Sequence, residues 1–124
     1  MSRVYVAGPM RGIKDFNFPA FDAAAAQLRA HGHVVFSPAE RDRAKLGDIF
    51  HSAHGNEKEI KEFSLREALG ADTAWIAEHA DAVVLLPGWE RSLGAQAEAA
   101  LARALGLPAE PIEAFLERVA IPGD

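Results

Sequence analysis

Three stretches of the 124-residue chain combine residue types and spacings that could do chemistry. In Ser92-Leu93-Gly94 a hydroxyl precedes an alanine-rich run of strong helix propensity, so the amides and the positive dipole end of a helix would converge there on an anion. Glu98 stands four residues beyond Gly94, roughly 6 Å further along a helix axis at about 1.5 Å per residue. That spacing suits a carboxylate reaching the ribose of a nucleotide whose 5′-phosphate rests on the helix end. Ala95, Ala97, Ala99 and Ala100 flank it with small side chains and leave room for a ligand. A glutamate early in a helix is also an ordinary partner for the dipole, so the spacing allows the role without assigning it.

The second stretch, Gly8-Pro9-Met10-Arg11-Gly12, joins two flexible glycines to an always-charged guanidinium suited to bidentate capture of phosphate. It matches neither a dinucleotide fingerprint nor a P-loop, and a strand-ending turn with a solvated Arg11 would read the same way. Tyr5, the only tyrosine, and Asp72 could converge on Glu98 from other elements. Equally, Tyr5 could be a core ring, and Asp72 could face water or cap a helical break at Gly70. Trp89 could stack on a base or cover the core. The third stretch, Asp48-x-x-His51-x-x-His54, has zinc-ligand residue types but no evident partner to orient the imidazoles, so no metal and no cofactor is expected. No Gly-x-Ser-x-Gly elbow supports a serine hydrolase.

The elements that must position these residues are readable from patterning. Residues 3–7 form a β-branched run stopped by Gly8-Pro9, and residues 33–37 form a second short strand closed by Pro38. Between them Phe21, Ala24, Ala25 and Leu28 recur at helical spacing behind Pro19, with Gly32 as the C-terminal cap. Ser64-x-x-Glu67 is a capping box opening a helix to about His79. Residues 82–86 are the most hydrophobic run, fit for a strand buried on both faces. A helix over 94–105 and a C-terminal helix over 112–119 complete the series, while the charged stretch 40–63 reads as a loop insertion. Alternating strands and helices predict one domain over residues 1–124, an α/β, flavodoxin- or Rossmann-like three-layer sandwich with a parallel sheet. Ligands in such sheets sit beyond the carboxyl ends of the strands.

Composition narrows the function classes. A formal net charge of −5 and a pI near 5.5 argue against a nucleic-acid binder, which needs a field of Lys and Arg. Zero cysteines exclude disulfides, thiolate zinc sites and cysteine nucleophiles, and fit a reducing cytoplasm. No window approaches the roughly 18 apolar residues of a spanning helix, and no signal peptide is evident, so the expectation is a cytoplasmic protein without a membrane partner.

Residues 5–12, the Ala80-Asp81-Ala82-Val83-Val84 strand and the Ser92-Leu93-Gly94-Ala95-Gln96-Ala97-Glu98-Ala99-Ala100 block occur in the order that resembles the nucleoside 2-deoxyribosyltransferase superfamily. Residues 86–92 and 66–76 look like its DUF4406 branch. The resemblance implies that Glu98 is a nucleophile attacking the anomeric carbon, that Tyr5 positions it, and that Asp72 contacts the sugar or protonates the leaving base. It further implies that Arg11, Gly12, Ser92 and Gly94 hold a 5′-phosphate, with Gly8, Met10 and Trp89 completing the substrate site. The implied activity is a nucleoside 5′-monophosphate N-glycosidase acting on a pyrimidine or modified base. Base exchange and a non-catalytic nucleotide sensor are the rivals. A homodimer or larger assembly is expected, with a neighbour closing the pocket. Two departures from the family pattern stand out: the long 40–63 segment, and the proline-broken stretch 107–111 where a further strand is usual.

Overall fold

The computed structural model describes residues 1–46 and 64–119. Four parallel strands, β1 (Arg3–Ala7), β2 (Val34–Phe36), β3 (Ala82–Leu85) and β4 (Ala109–Pro111), form one sheet in the order β2-β1-β3-β4. The helices are α1 (Phe18–Ala30), α2 (Pro38–Leu46), α3 (Leu65–His79), α4 (Leu93–Ala104) and α5 (Ile112–Val119), with short 3₁₀ turns at Lys14–Asn17 and Trp89–Arg91. This is the α/β sandwich with a parallel sheet that the alternation of elements requires.

Beyond the exposed Arg3, the two central strands are buried because helices cover both faces. Val4 and Val6 of β1 and Ala82 and Val84 of β3 point to one side, where Phe21 and Leu28 of α1 and Ile112 and Phe115 of α5 pack. Tyr5, Ala7, Val83 and Leu85 point to the other, against Ile76 of α3 and Ala95, Ala99 and Ala102 of α4. Each fully buried large apolar side chain contributes roughly 1.5–3 kcal/mol. The alanines of α4 therefore act chiefly by letting that helix approach the sheet closely, which carries Glu98 inward beside Tyr5.

Two expectations are corrected. The stretch from Glu40 is not loop from its start, since α2 runs to Leu46. Ser37-Pro38 places proline in the first turn, where its missing N–H costs nothing, and Glu40 adds an acid to that turn. Among its residues of described burial, Pro38, Ala39 and Asp42 are buried, two of them adjacent at its start, so these leave no apolar helical period in the sequence. Its outer side is tied to α1 by the bidentate Arg29–Glu40 pair at 2.6 Å and by the Arg43–Asp22 pair. The second correction is at residues 107–111. Despite its prolines, β4 pairs with β3 from Val83↔Ala109 to Leu85↔Pro111. An edge strand tolerates a proline because only one side of its ladder is used.

Candidate functional site

Strands β1, β2 and β3 all end on the same side of the sheet, and the segments that leave their carboxyl ends build one cleft. The chain turns away between β1 and β3, the place where open α/β sheets form a crevice. The cleft encloses about 630 Å³ of open space including its mouth. Tyr5, Gly8, Met10, Arg11, Asp72, Ser92, Gly94 and Glu98 all line it. Sequence reasoning chose these eight from separate stretches of the chain, and the fold brings them together. Gly12 and Trp89 are not among the lining residues. Gly12, at φ +84°, shapes the loop that carries Arg11. Trp89 packs on the α4 side of the core with Arg103 5.6 Å above its ring centroid, which is the core-covering one of its two readings and leaves it outside the cleft lining. Asp48, His51 and His54 lie outside the described residues; among the described ones, no group of three His, Asp or Glu is placed to hold a metal ion.

Gly8 is needed for close approach. A Cβ there would come within 2.8 Å of the Leu86 Cβ, so any side chain would push apart the ends of β1 and β3. The wall beyond Arg11 is a turn in which Asp15, Phe16 and Asn17 hold φ of 51°, 55° and 62°. Left-handed backbone costs on the order of 1–2 kcal/mol per non-glycine residue. The Asn17 amide offsets some of that by donating to the Pro9 carbonyl at 3.0 Å, and the Phe16 ring goes into the core and the cleft wall. On the opposite side, Ser92 caps α4, its Oγ accepting from the Ala95 N–H at 3.2 Å. Its own hydroxyl proton remains a donor, and the first turn of α4 opens on the cleft through Gly94.

The centre of the cleft holds two carboxyls. The Tyr5 hydroxyl donates to Glu98 Oε2 at 2.7 Å across 93 residues of sequence. Both readings of Tyr5 hold at once: its ring stacks on Phe36 at 5.7 Å, within a cluster that includes Trp75, while its hydroxyl reaches the cleft. Glu98 is 5% exposed and Asp72 is 6% exposed. Burial raises the Glu98 carboxyl to about 8, assisted by the charge of Asp72 and opposed by the Tyr5 hydrogen bond and by Arg41. Burial likewise raises Asp72 to about 6, with Asp42 adding to the rise and Arg41 opposing it. Tyr5 is held well above its ordinary value, first by burial and then by the two carboxylates. At neutral pH the coupled pair Glu98 and Asp72 therefore shares a single proton.

Arg41 and Asp42 of α2 line the same cleft, and sequence reasoning missed both. Arg41 Nη1 lies 2.8 Å from the buried Asp72 Oδ1, an ion pair that partly offsets the burial of that carboxyl. The helix-start signal at Ser37-Pro38 was the available clue to both.

The family model for DUF4406, a domain of unknown function, matches residues 2–110. The chain belongs to the DUF4406 family. The match takes in every residue of the cleft from Tyr5 to Glu98 and leaves α5 outside. No curated protein and no solved structure matches this DUF4406 chain. No helix among its described residues is long and apolar enough to cross a membrane.

Proposed function

We propose that this DUF4406 chain is a nucleoside 5′-monophosphate N-glycosidase. The observation that carries the reading is one cleft with a Tyr5-bound glutamate and a second, lower-pKa carboxyl at its centre, and Arg11, Ser92 and the start of α4 at its rim. A phosphate held by Arg11, Ser92 and the α4 amides sets the sugar over Glu98, so binding energy from a remote group orients the reacting carbon. Met10, Phe16, Leu65 and Leu69 supply an apolar wall for the base.

In the first step a Glu98 oxygen bonds to C1′ and the C1′–N bond breaks, its electron pair leaving with the base, which takes a proton from Asp72. In the second step water bonds to C1′, the ester to Glu98 breaks, and the proton of the water returns to Asp72. The first step begins from the arrangement with the shared proton on Asp72. The Tyr5 hydroxyl supports it by hydrogen-bonding the ionised Glu98. The reading takes no metal or cofactor. It places the protein among the nucleotides of the cytoplasm, with a second copy of the chain covering the cleft mouth.

Chromatography of ribo- and deoxyribonucleosides and their 5′-monophosphates after incubation with the protein tests this. Free base is expected from monophosphates and not from the matching nucleosides. Release from nucleosides alone would remove the phosphate role from Arg11 and Ser92, and no release from any of them would overturn the reading. A competing free base, with a new nucleotide sought, separates hydrolysis from exchange.

A further inference from the structure

The two chemical steps leave unused the one charged pair that the second helix places in the cleft wall. Arg41 Nε and Nη2 both lie 2.7 Å from Asp42 Oδ1, while Nη1 donates to the Ala68 carbonyl at 3.0 Å and stands 2.8 Å from Asp72 Oδ1. The side chains of Arg41 and Asp42 are 18% and 6% exposed, so these contacts are only weakly screened by water. The groups facing Asp72 are Tyr5 from β1, Arg41 and Asp42 from α2, and Glu98 from α4, with Arg11 in the same cleft.

We propose that Arg41 is a positioning residue that, through its bridge between Asp42 and Asp72, decides which of the two cleft carboxyls holds the shared proton. The inference rests on the reading of Asp72 and Glu98 as acid and nucleophile. A simple tie between α2 and α3 would need only the bond to the Ala68 carbonyl, one turn before Asp72. The second arm instead sets a partly buried cation 2.8 Å from a buried carboxylate oxygen. Asp42 takes two of the guanidinium nitrogens and partly neutralises the charge that Asp72 feels. The result is a carboxyl stabilised enough to ionise before Glu98, yet not so firmly that it cannot take the proton when a nucleotide binds.

This arrangement makes opposite predictions for its two ends. In Arg41→Gln the side-chain carboxyl of Asp72, followed by its ¹³C chemical shift in the empty protein, should titrate at least about one pH unit higher, the shift expected for removing a cation a few ångströms away. Arg41→Lys, which keeps the charge, should recover most of the original midpoint. Asp42→Asn, which removes the competing anion, should move the Asp72 midpoint downward. A merely structural role would give loss of thermal stability in all three with no opposed titration shifts. An unchanged Asp72 midpoint in folded Arg41→Gln, or an upward one in Asp42→Asn, would overturn the proposal. If Arg41→Gln does not fold, Asp42→Asn still decides by direction. The titration needs no turnover, so base release with immobile midpoints would sink this inference alone, and opposed midpoints without any base release would sink the glycosidase reading alone.

Discussion

Glu98→Ala is expected to lower base release by on the order of 10⁴-fold or more, the scale seen when the nucleophile of a covalent mechanism is removed. Nucleotide binding, measured by calorimetry, should persist, because Arg11, Ser92 and the start of α4 lie at the rim and do not depend on the carboxylate. Glu98→Gln should share the loss of turnover and add a second signature. In the folded protein Glu98 titrates near 8 against an ordinary 4.5. A raised carboxyl pKa means that its favourable contribution is complete below about 4.5 and is lost as pH rises through 8. The glutamine variant should therefore unfold at a higher temperature than the wild type at pH 9, a gain on the order of 5 kcal/mol of stability that vanishes toward pH 4.5. Activity in Glu98→Ala equal to wild type would end the mechanism, and a glutamine variant no more stable at high pH would mean that Glu98 is not a destabilised buried acid.

The pH dependence of kcat/KM is the second large effect. With Asp72 near 6 and Glu98 near 8, one shared proton is required: below about 6 both groups hold protons and no nucleophile exists, and above about 8 both are ionised and no acid exists. A bell with its maximum near 7 should result, its limbs belonging to the pair rather than to either residue, and each limb falling about tenfold per pH unit. Asp72→Asn removes the acid and should cost about 10²–10⁴-fold. It should also remove the basic limb, leaving a profile that climbs with pH to a plateau. The climb should be centred below 8, because the charge of Asp72 is one cause of the rise at Glu98. A variant whose activity instead falls with rising pH would make Glu98 the proton donor and reverse the assignment.

Most of the fold was legible because its causes are local. β3 is a continuous apolar run between helical patterns, α3 opens on the Ser64 cap with its Glu67 N–H at 3.3 Å, and α1 ends where Gly32 takes φ +86°. What was not legible has distant causes. α2 is nine residues long, and its described buried residues are Pro38 and Ala39 at its start and the charged Asp42 one turn on, which make no hydropathy period. β4 exists because β3 offers it an open edge, not because Ala109-Glu110-Pro111 favours a strand.

The site divides along the same line. Glu98, Ser92 and Gly94 could be read together because they lie within two turns of one helix. Tyr5 and Asp72 could be named but not placed, since their meeting depends on β1, α3 and α4 packing over the same face of the sheet. Arg41 and Asp42 went with the helix that carries them. Trp89 was chosen for its ring, yet the 3₁₀ turn holds it against the side of α4 where Arg103 covers it.

The most direct test of the central claim is the configuration at C1′ of the methyl glycoside formed when a 5′-monophosphate is turned over in water containing methanol, read by proton NMR. Two successive displacements at C1′, the first by Glu98, predict the β-glycoside, the configuration of the nucleotide itself. An α-glycoside would mean a single displacement with no bond to Glu98, and would contradict the account.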